Sequence, residues 1–134
     1  MQEGWFGDDY FILFSEDEAL SASQRYRVGE TLPDHVIIGL YNWDDFIVRV
    51  GSGNTYALPT VPIAREYQRQ VAVPPGASLE PDDRFVGKLK WYVTPLVLGG
   101  DPEAGENLTW ISHDQHVELV VWWNTKYQEL KSPR

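Results

Sequence analysis

His113-Asp114-Gln115-His116 is the first stretch whose residue types and spacing could do chemistry. Residues three apart share a helix face, so two imidazoles there could begin a metal site. Two histidines supply only half of a tetrahedral set, and no spacing in the chain supplies the third ligand. The expectation is therefore no metal: His113 in a solvated first turn, His116 hydrogen-bonded in or beside the core. Asp8-Asp9, Asp44-Asp45 and Asp82-Asp83 are carboxylate pairs, but neighbours in sequence diverge on a strand or a turn. General acid/base work needs carboxylates that converge on one bond. Gly51-Ser52-Gly53 lacks the Gly spacing of a nucleophile elbow and the third Gly and helix of a dinucleotide loop, so it reads as a hairpin turn. Asn107-Leu108-Thr109 has the form of a glycosylation acceptor, to which nothing else in the chain gives meaning. No catalytic residue and no cofactor are expected.

The elements that would position these residues can be read from pattern. Ser112 and Gln115 have capping-box spacing, with Asp114 in the first turn where the helix dipole favours it. A long closing helix follows. His116, Leu119, Val120, Trp123, Tyr127 and Leu130 make its apolar stripe, widened by Val117 and Val121, with Trp122 pointing away. Leu108–Ile111 reads as a short strand before it.

Earlier in the chain, residues 1–9 read as polar, Tyr10–Phe14 as a buried strand, and Ser15 as the cap of a helix starting Glu16-Asp17-Glu18. Val36–Leu40 and Phe46–Val50 read as a hairpin, and Thr55–Leu58 begins a further strand that Pro59 and Pro62 interrupt. Residues 59–83 are proline-rich and irregular, with an edge strand suggested at Val71–Val73 and a helical turn at Glu66–Gln70. Residues 82–93 admit either a helix through Lys90 or an extended run from Phe85. Leu96-Val97-Leu98 is expected to be buried. The class is α+β: an antiparallel meander packed by helices, with the C-terminal helix across the sheet, in one domain spanning 1–134.

Composition bounds the function. The chain has 134 residues and no cysteine, so disulfides and thiolate metal sites are impossible. With 43% apolar and 23% charged residues it is ordinary globular composition, which argues against disorder. No apolar run is long enough to span a membrane and no signal peptide is visible, so a cytoplasmic location is expected. Net charge is −9, of which residues 1–67 carry −7. Such a field repels nucleic acid and anionic membrane and attracts basic partners. The candidate surface is Asp8, Asp9, Glu16, Asp17, Glu18 and the turn Trp43-Asp44-Asp45. Trp43 has two readings there, an interface anchor or a turn aromatic folded back onto the sheet.

Several words of the sequence resemble the SUKH superfamily, the SMI1/KNR4-like proteins. They are the strand Asp9–Phe14 before an acidic helix start, Tyr26-Arg27-Val28, Leu32-Pro33, Val36-Ile37-Ile38-Gly39 and Val61-Pro62-Ile63. Near the end come Gly100-Asp101-Pro102, Asn107, His116 and Trp122-Trp123-Asn124. Together they cover about two-thirds of the chain. It departs from the family in having Leu40–Asp45 in place of a Gly-rich turn, and in lacking the usual N-terminal helices. The resemblance implies an α+β fold and a non-enzymatic protein. It implies an immunity protein, as in toxin-antitoxin pairs, that neutralises a cognate toxin, often a nuclease. The family supplies no catalytic residues. The alternatives are a regulatory or scaffolding interaction domain, and a small metal-dependent enzyme using His113 and His116.

Overall fold

The computed structural model describes residues 1–94, 99–101, 103 and 105–131. The expectation for Leu96–Leu98 falls outside them. Six strands form one antiparallel sheet in sequential order: β1 (Gln2–Phe6), β2 (Asp9–Leu13), β3 (Val36–Tyr41), β4 (Asp45–Arg49), β5 (Thr55–Pro59) and the short β6 (Arg69–Gln70). A second sheet pairs β7 (Leu89–Tyr92) with β8 (Leu108–Ile111). The helices are α1 (Glu16–Arg25), the single turn α2 (Val28–Thr31) and α3 (His113–Lys131). The fold is α+β, an antiparallel meander with a C-terminal helix.

Period-2 alternation sends two sets of side chains to the two faces of the large sheet. Tyr10, Ile12, Ile37, Leu40, Phe46, Val48 and Leu58 face the main core, which α1, α3 and the small sheet close. Phe11, Ile47 and Leu79 form a second cluster on the other face, with Leu13, Ile38, Tyr41, Val71 and Val73 against it. What covers that face is a proline-bearing strap. It leaves β6, where Val71 N–H donates to the Thr55 carbonyl at 3.2 Å, and reaches β1, where Trp5 and Glu80 exchange backbone hydrogen bonds at 2.8 Å. Gly4 lies beneath it: a Cβ there would stand 2.5 Å from the Glu80 carbonyl oxygen. Val71–Val73 is thus part of the strap and not an edge strand.

Both helix caps form as the spacing predicts. Ser15 and Glu18 make a reciprocal capping box at α1. At α3 the Gln115 N–H donates to Ser112 Oγ at 3.2 Å, and the Ser112 N–H to Gln115 Oε1 at 3.0 Å. His116 and Val120 are buried along the α3 stripe, while Leu130, 58% exposed, lies past its end. Elsewhere the structure refines or decides what the sequence left open. Residues 2–6, read from sequence only as polar, form the edge strand β1, closed onto β2 by a turn with Gly7 at φ +64°. The helical turn in the irregular stretch is 3-10 and covers Arg65–Tyr67. Of the two readings of 82–93 the extended one holds from Leu89: no helix starts at Asp82, and turns lead to β7. The dismissal of Asn107 as a glycosylation acceptor agrees with its placement: it is buried, with its Nδ2 donating to the Thr94 and Asp101 carbonyls.

Candidate functional site

The meander separates the expected acidic surface into two ends. Asp9 begins β2 and Glu16 begins α1, so roughly 15 Å of strand stands between them. Glu16 and Asp17 are exposed at one end, beside Glu18. The Glu18 carboxyl is held below its usual range by the Met1 amino group and by Ser15. Asp8, Asp9 and the turn Asn42–Asp44 occupy the other end. Asn42 ties that turn to β2: its Oδ1 accepts from the Tyr10 N–H at 2.8 Å and its Nδ2 donates to Asp9 at 3.0 Å.

Trp43 is not an exposed anchor. Asn42 and Trp43 both have positive φ, 49° and 62°, a backbone region costly for a bulky residue. The turn this makes folds the indole back over the sheet. There it stacks on Tyr10, with ring centroids 4.5 Å apart and planes at 16°, and is 7% exposed. Trp5, Phe85 and Trp110 meet it edge-on at 6.0, 5.3 and 5.2 Å. Aromatic burial compensates for the strained turn.

Beside Trp43 opens a cleft of about 280 Å³. Its walls are mostly apolar and aromatic, with Trp91 and Tyr92 from β7, Tyr67, and the segment Pro59–Pro62. Two carboxylates reach it, and each already holds a cation. Asp44 pairs with Lys90 at 2.8 Å, and Asp45 with Arg69 at 2.6 Å. Burial pushes the Asp44 carboxyl up, against the pull of Lys90. Burial lowers Lys90, but Asp44 outweighs it and holds the ammonium above its ordinary value. The same ammonium lies 5.3 Å from the Tyr92 ring centre and 5.9 Å from that of Trp43.

Asn124 on α3 fixes the far wall of the cleft. Its Oδ1 accepts from the Ile63 N–H at 2.7 Å, and its Nδ2 donates to the Thr60 carbonyl at 2.8 Å. The segment it clamps contains the cis peptide Val61-Pro62.

The histidines do not converge on this cleft. His116 is fully buried, its Nδ1 hydrogen-bonded to the Tyr26 hydroxyl at 2.6 Å. Its ring packs edge-on to Trp91 and Phe46, with Nε2 enclosed and unpaired among the described residues. Burial lowers its pKa to about 3. His113 is half-buried rather than solvated; burial lowers it too, against the pull of Glu3, Asp114 and Glu18. Among the described residues no group of three or more His, Asp or Glu is placed to hold a metal ion.

The structure thus brings Asp44 and Asp45 together at a cleft, with Asp8 and Asp9 at the same end of the sheet, and leaves Glu16–Glu18 apart. Sequence reading missed Lys90, Tyr92, Tyr67 and Asn124. Only Asn124 carried a signal, within Trp122-Trp123-Asn124. The class defined here is an α+β scaffold with an aromatic, charge-paired surface cleft. No family model, curated protein or solved structure matches the chain.

Proposed function

We propose that this chain is a non-enzymatic binding protein of the immunity type, which neutralises a basic toxin domain by occupying it. One observation carries the reading: twenty acids face eleven Lys and Arg residues, and five of those bases are already paired within the chain. Arg25, Arg69, Arg84, Lys90 and Lys131 each pair with a carboxylate of this chain at 3.0 Å or less. Asp8, Glu16, Asp17, Asp101, Glu103 and Glu106 are exposed, and no ion pair engages them among the described residues. A basic partner therefore meets a negative surface, which speeds encounter and rejects acidic competitors. The resemblance to SUKH immunity proteins points the same way. His116, one of the two histidines a metal-dependent enzyme would use, is enclosed and bonded to Tyr26.

Coexpression with toxin domains encoded beside its gene tests the reading. Rescue of growth together with co-purification of a stoichiometric complex is the expected result. Continued toxicity, with no complex from any neighbouring toxin, would refute it.

A further inference from the structure

The small sheet has one face in the core and one outside. Leu89 and Trp91 are buried inward. Their neighbours point the other way, and the register places Lys90 opposite Trp110 and Tyr92 opposite Leu108. Directly opposed residues share a face, so the outward side carries Trp110, Leu108, Tyr92 and Lys90. Trp110 and Leu108 are 38% and 39% exposed. Trp110 is nevertheless fixed, stacked on Phe85 with centroids 5.2 Å apart and planes at 28°. Tyr92 and Lys90 also line the cleft, so platform and cleft are continuous.

We propose that this platform, centred on Trp110, Leu108 and Tyr92, is where the basic partner docks, with the adjoining cleft receiving one of its side chains. The proposal rests on the binding reading above and gives it a location other than α1. Three considerations favour it. Large, preformed aromatics carry most interface energy, and these lose little freedom on binding. The loop joining β7 to β8 brings Asp101, Glu103 and Glu106 to the end of the strand pair where Tyr92 and Leu108 lie, all exposed. The other exposed tryptophan, Trp122 on α3, borders a groove of mixed charge, with Arg25, Arg27 and Lys126 beside Glu118 and Glu129, which lacks the acidic excess of the β7–β8 loop.

The experiment titrates the full chain with an inactivated toxin domain encoded beside its gene, by calorimetry. Trp110→Ala removes the centre of the platform. Leu108→Lys and Glu106→Lys change only exposed side chains and guard against a folding artefact, checked by near-ultraviolet circular dichroism. The control is Glu16→Lys with Asp17→Lys. Platform variants are expected to weaken binding roughly tenfold or more. The control should change affinity by less than about threefold. Wild-type binding that Leu108→Lys and Glu106→Lys leave intact, while the α1 control abolishes it, overturns the platform and leaves the binding reading standing. Absence of wild-type binding to every neighbouring toxin overturns both. Self-association of the chain that Leu108→Lys abolishes, without a toxin complex, assigns the platform to a second copy and also overturns the proposal.

Discussion

Lys90 of the small sheet reaches Asp44 in the β3–β4 turn of the large one, Nζ to Oδ2 at 2.8 Å. That pair joins the two sheets at the mouth of the cleft, and neither partner is fully in water. Lys90→Met should remove the cation that holds the Asp44 carboxyl down against burial, so its titration moves to higher pH. Carboxyl-carbon chemical shifts followed across the acid range would read this directly. An unmoved midpoint would show that the pair is not coupled.

Asn124 links α3 to the cleft wall through two hydrogen bonds to the 60–63 segment. Asn124→Ala leaves the Ile63 N–H and the Thr60 carbonyl without those partners. The expected loss is about 1–3 kcal/mol in urea denaturation, with faster exchange of the Ile63 amide. Wild-type stability with unchanged exchange would remove Asn124 from its positioning role.

Tyr26→Phe should cost about 1–3 kcal/mol, because it leaves Nδ1 of a fully buried His116 without its partner. Chemical denaturation at neutral pH checks this. A neutral substitution would mean that the hydrogen bond contributes nothing to the union of α1 and α3.

Acid should destabilise the fold through its imidazoles. His116 titrates near 3 in the folded chain against an ordinary value of 6.5, and His35 and His113 are lowered as well. Below about pH 6.5 the unfolded chain takes up these protons first. The stability contribution is therefore complete above pH 6.5 and is lost as pH falls toward 3. Melting temperatures should decline across that window, and less steeply in His116→Gln. A wild-type melting temperature that stays level from pH 7 to pH 4 would contradict the assignment.

Local signals carried much of the fold. The helix cap at Ser15, the capping box at Ser112 and the β3–β4 hairpin depend on residues close in sequence, and each formed where the sequence placed it. Strand β1 was illegible because Gln2-Glu3-Gly4 has no apolar alternation; it is a strand only because β2 and Glu80 pair with it. The strap was illegible for the same reason. At the site, Asp44 and Asp45 were visible as acids, but their partners Lys90 and Arg69 lie 46 and 24 positions away. Trp43 could be read either way, since the stacking that buries it comes from Tyr10, 33 positions earlier.

The central claim is that an acidic surface captures a basic protein, and the association rate tests it most directly. Stopped-flow mixing of this chain with a neighbouring toxin domain, over a range of ionic strengths, should show a one-to-one complex. Its association rate should fall about tenfold or more as salt rises, while dissociation changes little. A rate that is flat or rises with salt, or the absence of any complex, would contradict the account.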